Sequence, residues 1–174
     1  MTTRAILLLS AFLLLGGCKQ DVESISLPEF IQDWTQDQRS DEQVIWDGLV
    51  GNWYGSLVRE DGSRHQWLNR HYADGTYEVD FQTVSTNGRV SFSRETGQWG
   101  AAGGIYFTIF RGWLYGDEFE PSDPSDAFNY DAYRMLKLQS DLVIYESLKT
   151  KTRYEARRVP EGFRIPAPDE ETGI

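Results

Sequence analysis

The sequence predicts an all-β fold, an eight-stranded antiparallel up-and-down barrel preceded by a short N-terminal helix. Three observations carry that reading. From about Gly48 to Val159 the chain breaks into short runs of alternating apolar and polar residues, the pattern of half-buried strands. Turn signals such as Asp74-Gly75 and Asn87-Gly88 follow one another too closely for crossover helices. Consecutive strands therefore pair as hairpins, and closure into a barrel removes the two open edges. Aromatic residues make up 14% of the chain, a share that suits a β-rich core or a binding cavity.

Elements are taken in chain order. Arg4 supplies a basic start, and Ala5 to Leu15 is apolar except for Ser10. Such a stretch is too short to span a bilayer and fits the apolar region of a signal peptide. It ends in Leu15-Gly16-Gly17-Cys18. This resembles the bacterial lipobox, an aliphatic residue and two small ones before a cysteine. The resemblance implies cleavage after residue 17 and lipidation at Cys18, the one cysteine of the chain. Several acyl chains on one cysteine anchor far more firmly than a single one. Lys19 in place of an aspartate implies, by the same resemblance, the outer membrane facing the periplasm rather than the inner membrane. Residues 1–17 are thus read as signal peptide and 18–47 as a lipidated tether.

Within the tether, Ser26-Leu27-Pro28-Glu29 reads as a capping box with an early helical proline. Phe30, Ile31 and Trp34 then share one face of a short helix, which either plugs the following domain or meets a partner. Residues 48–160 are read as the barrel, with strands near 50–59, 64–73, 76–84, 89–97, 104–111, 130–138, 141–148 and 151–159. Residues 161–174, acidic and proline-containing, are read as a disordered tail.

Gly51-Asn52-Trp53 opens the first strand and Arg157-Arg158 closes the last. This is similar to lipocalins and related calycins, where a Gly-x-Trp is covered by an arginine from the final strand. The resemblance implies that Gly51, Trp53 and Arg158 (or Arg157) close the barrel structurally. The run Trp67-x-x-x-His71-x-Ala73-Asp74-Gly75-Thr76-Tyr77, with Gly112-Trp113, also resembles lipocalin-like domains of bacterial proteins. It supports the architecture more than any one ligand.

Two turns set an expected register. Asp-Gly and Asn-Gly favour two-residue type I′ hairpins. Asp74-Gly75 then places Arg70 opposite Val79 and Leu68 opposite Phe81, while Asn87-Gly88 places Phe81 opposite Arg94. Directly opposed residues share a face. The expected interior is therefore Leu68, Tyr72, Tyr77, Val79, Phe81, Val90 and Phe92, with Arg70 and Arg94 among them. Asn69, His71, Glu78 and Asp80 fall outside. An inward arginine needs a partner. An anionic ligand held by the guanidinium is one candidate, and snorkelling to a barrel mouth is the other. Two-residue turns at Gln139-Ser140 and Thr150-Lys151 would bring Arg134 and Arg158 inward beside Tyr145 and Tyr154. A one-residue slip reverses the assignment.

Other classes find little support. The formal charge of −10 disfavours nucleic acid as a partner. His65 and His71 fall on the expected outer face, His71 opposite Glu78. No nucleophile–base set or phosphate loop is recognisable, so the reading is non-enzymatic, without metal or cofactor. The acidic segment Tyr115–Tyr130 lacks calcium-loop spacing and reads as a solvated loop or lid. Trp67 is expected outside, as a partner surface or under the tether helix. The leading expectation is a lipid-anchored barrel binding a small hydrophobic or anionic amphiphile, such as a fatty acid. Arg70, Arg94, Tyr72, Tyr77, Phe81, Phe92, Arg134 and Tyr145 would form its site. The alternative is a packed barrel that binds an envelope protein or inhibits a hydrolase.

Overall fold

The structure, a computed structural model, describes residues 41–168. The lipobox with Cys18, the tether before residue 41 and its Ser26–Trp34 helix lie outside the described residues.

Nine strands follow a helix that occupies residues 41–49. They are β1 (Gly51–Val58), β2 (Arg64–His71), β3 (Thr76–Val84), β4 (Val90–Ala102), β5 (Ile105–Tyr115), β6 (Glu118–Pro121), β7 (Tyr130–Leu138), β8 (Leu142–Ser147) and β9 (Arg153–Val159). Pairing runs β4-β3-β2-β1-β9-β8-β7-β5, and β4 also pairs with β5. The eight strands therefore close into an antiparallel barrel, as predicted. The ninth, β6, folds back on the end of β5 as an external flap. It lies within the acidic segment read as a loop. No helix among the described residues is long and apolar enough to cross a membrane.

Three successive turns share one design, and at Asp74-Gly75 and Asn87-Gly88 it takes the place of the two-residue hairpin expected. At residues 60–62, 73–75 and 86–88, three residues separate the last paired positions, as shown by Arg59 N–H to Ser63 O, Tyr72 N–H to Thr76 O and Ser85 N–H to Arg89 O. Gly62, Gly75 and Gly88 adopt positive φ, whereas Asp74 and Asn87 do not. A type I′ turn requires positive φ at both central residues, so a three-residue turn ending in a glycine bulge forms instead. The acidic or amide residue before each glycine caps it. Asp61 Oδ1 accepts from Ser63 N–H, Asp74 Oδ1 from Thr76 N–H, and Asn87 Oδ1 from Arg89 N–H. A genuine two-residue turn with both φ values positive occurs at Gly103-Gly104.

The extra residue per turn corrects the register. Trp67 lies opposite Phe81, Asn69 opposite Val79, and Arg70 opposite Glu78. Across the next hairpin Val79 meets Glu95 and Asp80 meets Arg94. Tyr77, Val79 and Phe81 on β3 face inward as expected, but both neighbouring strands are turned over. His65, Trp67, Asn69 and His71 point in. Leu68, Arg70, Phe92 and Arg94 point out. Gly55 makes room for the inward Trp67, because a Cβ there would lie 2.1 Å from the indole Cζ2 and 2.7 Å from the Glu155 carbonyl oxygen.

One end of the barrel is filled. Leu49, on the last turn of the helix, is buried, and Ile45 and Trp46 pack against the same core. Trp46 stacks on Trp99 at 4.3 Å. The carbonyls where the helix ends find donors on the barrel. Leu49 O accepts from Trp53 Nε1 at 2.8 Å and from His71 Nδ1 at 3.0 Å. Arg158 donates to Gly48 O, Val50 O and Ser140 O while its guanidinium lies 4.3 Å over the Trp53 ring. Gly51, with φ of +122°, leaves no room for a Cβ beside that guanidinium.

A second apolar cluster sits on the outside. Residues 161–168, read from sequence as the start of a disordered tail, run across the outer face of β1 and β2. Phe163 and Ile165 cover Tyr54, Leu68 and Val159, and Pro166 O accepts from Gln82 Nε2.

The inward Trp67 makes Gly55→Ala a sharp test. Overpacking of this kind costs on the order of 1–3 kcal/mol, so a lower denaturation midpoint with altered tryptophan emission is expected. An outward Trp67 would leave the variant near wild-type stability in the same titration.

Candidate functional site

Beyond the filled end, the barrel forms a partly open cavity of about 460 Å³. Its walls are built mainly of rings. Tyr106 stacks on Tyr133 and Tyr145 on Tyr154, with centroids 5.4 Å apart in both pairs, and Tyr133 meets Tyr145 edge-on at 5.2 Å. Trp67 packs edge-on against Tyr154 at 5.6 Å, and His65 stacks on Phe81 at 5.2 Å. Phe110 and Trp113 of β5 complete the opposite wall. A short 3-10 turn, Ala127–Asn129, contributes Asn129 and the exposed Phe128. Asp126 caps that turn by accepting from Phe128 N–H.

The polar wall has a definite order at its inner end. Because His71 Nδ1–H donates to Leu49 O, its Nε2 is left as an acceptor for the Tyr106 hydroxyl at 2.8 Å. Asn69 Nδ2 lies 3.3 Å from that hydroxyl, and Asn69 Oδ1 is buried without a partner. Burial holds the His71 imidazole at about 4, against the opposing pull of the Leu49 hydrogen bond. Burial, aided by the charge of Arg59, holds His65 at about 4. Both rings are therefore neutral at pH 7. Burial also raises the Tyr77, Tyr106, Tyr133 and Tyr145 phenols, which remain protonated.

Three carboxylates line the cavity: Asp126, which caps the 3-10 turn, and Glu95 and Asp131, which stand on strands. Each of the latter two faces the cavity, Glu95 from β4 opposite Val79 and Asp131 from β7 opposite Thr108. Burial raises the Glu95 carboxyl above its ordinary value, and the Asp131 charge adds to the shift. Neither forms a hydrogen bond or ion pair among the described residues, and no lysine or arginine lines the cavity. The same residues contain no cluster suited to a metal ion.

The residues proposed from sequence divide between two surfaces. Tyr77, Phe81 and Tyr145 line the cavity. Arg70 and Arg94 do not, because the three-residue turns place them on the outer face. There Arg70 bonds Asp80 at 2.6 Å, and Arg94 pairs with Glu78 and Asp80. Phe92 is 72% exposed and Tyr72 is 42% exposed. Phe92, Arg70 and Arg94 border a shallow outer cleft with Leu114 and Tyr115. Arg134 is also exposed. The β7–β8 turn comprises Ser140 and Asp141, and a bulge between Met135 and Lys137 brings Tyr133 and Met135 inward instead. His71 lies opposite Tyr77 rather than Glu78, buried inside.

Sequence reasoning missed Trp67, Asn69, Glu95, Tyr106, Tyr133 and Asp131. The signal for Trp67 and Asn69 lay in Asp74-Gly75-Thr76, where Asp74 accepts from the Thr76 N–H and hydroxyl, and that for Glu95 in Asn87-Gly88-Arg89, where Asn87 accepts from the Arg89 N–H. The bulge that directs Tyr133 inward has no comparable local signature.

No family model matches the sequence, and no curated protein matches it. Among solved structures it is similar to a lipocalin-like protein from Bacteroides uniformis, with 13% identity, 64% of this chain and 99% of that chain covered, and a TM-score of 0.38. The barrel assignment rests on the strand pairing of this chain itself.

These environments fix opposite pH responses. Unfolded histidines bind protons near pH 6.5 while folded His65 and His71 resist until about 4. Their contribution to stability is complete above 6.5 and is lost as the pH falls through that window. Glu95 runs the other way. Its raised folded value penalises ionisation, so the destabilisation grows as pH rises past the ordinary 4.5. Thermal melts should show Glu95→Gln more stable than wild type at pH 7, with the advantage gone below pH 4. A lower melting temperature at pH 7 would contradict an unpaired carboxylate.

Proposed function

We propose that this protein is a lipid-anchored, non-enzymatic carrier or receptor that takes a small, largely apolar molecule into its barrel. The observation that carries the reading is the cavity. At about 460 Å³ it falls within the roughly 300–1,000 Å³ range of small-molecule sites, and its walls are chiefly aromatic. Leu15-Gly16-Gly17-Cys18 and Lys19 support attachment to the outer membrane on its periplasmic side. The expected anionic head group loses its basis, because Arg70 and Arg94 pair outside with Asp80 and Glu78. The apolar part of the expectation keeps its support.

A second reading has one specific observation in its favour. Phe92, Tyr115 and Phe119 are 72%, 59% and 52% exposed around the β6 flap, and exposed aromatic groups of this kind mark protein-binding surfaces. Trp67, an earlier basis for that reading, is buried inside the barrel.

N-phenyl-1-naphthylamine, an uncharged fluorophore, tests the cavity reading on the detergent-free full chain carrying Cys18→Ser. A saturable rise in emission with micromolar affinity is expected. Thr108→Phe, which narrows the cavity, should weaken binding at least tenfold, while Phe92→Ala on the outer face leaves it unchanged. Absence of saturable binding, or equal loss in both variants, would overturn the proposal.

A further inference from the structure

We propose that the cavity selects a cation, a small ammonium compound that also carries a hydroxyl or carbonyl group. This deepens the preceding reading and depends on the barrel interior being the binding site.

The first argument is the distribution of charge. On the outer wall the charges of β2, β3 and β4 are matched, Arg70 with Asp80 and Arg94 with Glu78 and Asp80. On the inner wall Glu95 and Asp131 stand without a counter-ion among the described residues, and the neighbouring His65 is neutral at pH 7. A partly buried carboxylate without a partner is costly. A bound cation removes that cost, whereas a bound anion adds to it. Among the described residues the carboxylates are not arranged with other side chains as a metal site, which favours an organic cation over a bare ion.

The wall material agrees. Val79 is the sole aliphatic side chain lining the cavity among the described residues, and Trp67, Tyr77, Tyr106, Tyr133 and Tyr145 supply aromatic surface instead. A hydrocarbon chain gains nothing from that preference, but an ammonium is attracted to the π-faces, and more strongly when desolvated. Neutral phenols at Tyr77, Tyr106, Tyr133 and Tyr145 keep those faces electron-rich without adding charge.

Two unsatisfied polar atoms mark where the rest of the ligand belongs. Trp67 is 4% exposed, and its Nε1–H has no hydrogen-bond partner. The Tyr145 hydroxyl is near enough for a favourable dipolar contact but outside hydrogen-bond geometry. Asn69 Oδ1 is likewise buried and unpaired. One is a donor and the other an acceptor, and both belong to cavity-lining residues. Buried polar groups left in this state are uncommon in native proteins. A ligand hydroxyl can satisfy both, and a carbonyl can satisfy the indole.

Choline and its uncharged carbon isostere 3,3-dimethylbutan-1-ol separate charge from shape. Both are titrated into the full chain labelled with ¹⁵N at the tryptophan indoles, and the Trp67 signal is identified by Trp67→Phe. Choline should move that signal with at least tenfold higher affinity than the isostere. Glu95→Gln with Asp131→Asn should reduce choline to the level of the isostere and leave the isostere unchanged. Equal binding of the two probes by wild type overturns the proposal with no variant needed, as does a double variant that keeps the preference. If the apolar fluorophore binds and choline does not, the cavity stands and cation selection fails. If neither binds, both readings fail.

Discussion

The barrel depends on how the entering helix is stopped. A helix leaves its last carbonyls without intrahelical donors, and here the acceptors of Gly48, Leu49 and Val50 meet three side chains from three strands. Trp53 comes from β1, His71 from β2 and Arg158 from β9. Each also has a second attachment: Trp53 lies beneath the guanidinium, His71 receives the Tyr106 hydroxyl, and Arg158 reaches Ser140 O. The helix end, the junction between first and last strands, and the floor of the cavity are thus one polar network. Burial lowers the Arg158 affinity for its proton, yet three carbonyl oxygens receive its donors. Such a network is strong when complete and exposes several buried groups at once when broken.

This part of the molecule was legible in the sequence because it uses residue types with narrow geometric meaning. Gly51-x-Trp53 and a late arginine specify a close approach that does not depend on counting residues through hairpins. Interior assignment on β2 and β4 did depend on counting, and one added residue in each turn inverted it. Leu68 encouraged the inverted choice. It is apolar and 1% exposed, as an interior residue would be, but its cover is Phe163 and Ile165 on the outer face. Alternation identifies a barrel interior only where the other face meets water. The Met135–Lys137 bulge had a similar effect on Arg134, reversing parity within a strand whose turn was nearly correctly placed.

The resulting arrangement separates charge by surface. Arginines on β2 and β4 lie on the outer face, partly exposed, where aspartate and glutamate meet them and water limits the strength of the pairs. The inner carboxylates lie among rings and neutral hydroxyls, where an equal separation of charge has larger consequences. Interior chemistry is therefore governed by few groups. His71 and Tyr106 orient one another at the floor, while Glu95 and Asp131 set the electrostatic sign of the space above them.

The strap formed by residues 161–168 has a mechanical consequence. It buries the outer side of β1 and β2 while the core buries the inner side, so these strands are clamped from both directions. On β4, by contrast, Phe92, Ser93 and Arg94 remain open to solvent, and the β4–β5 pairing is interrupted between Thr96 and Gly97. The outer face of the barrel is accordingly sealed along the β1–β2 arc and left open to water along β4.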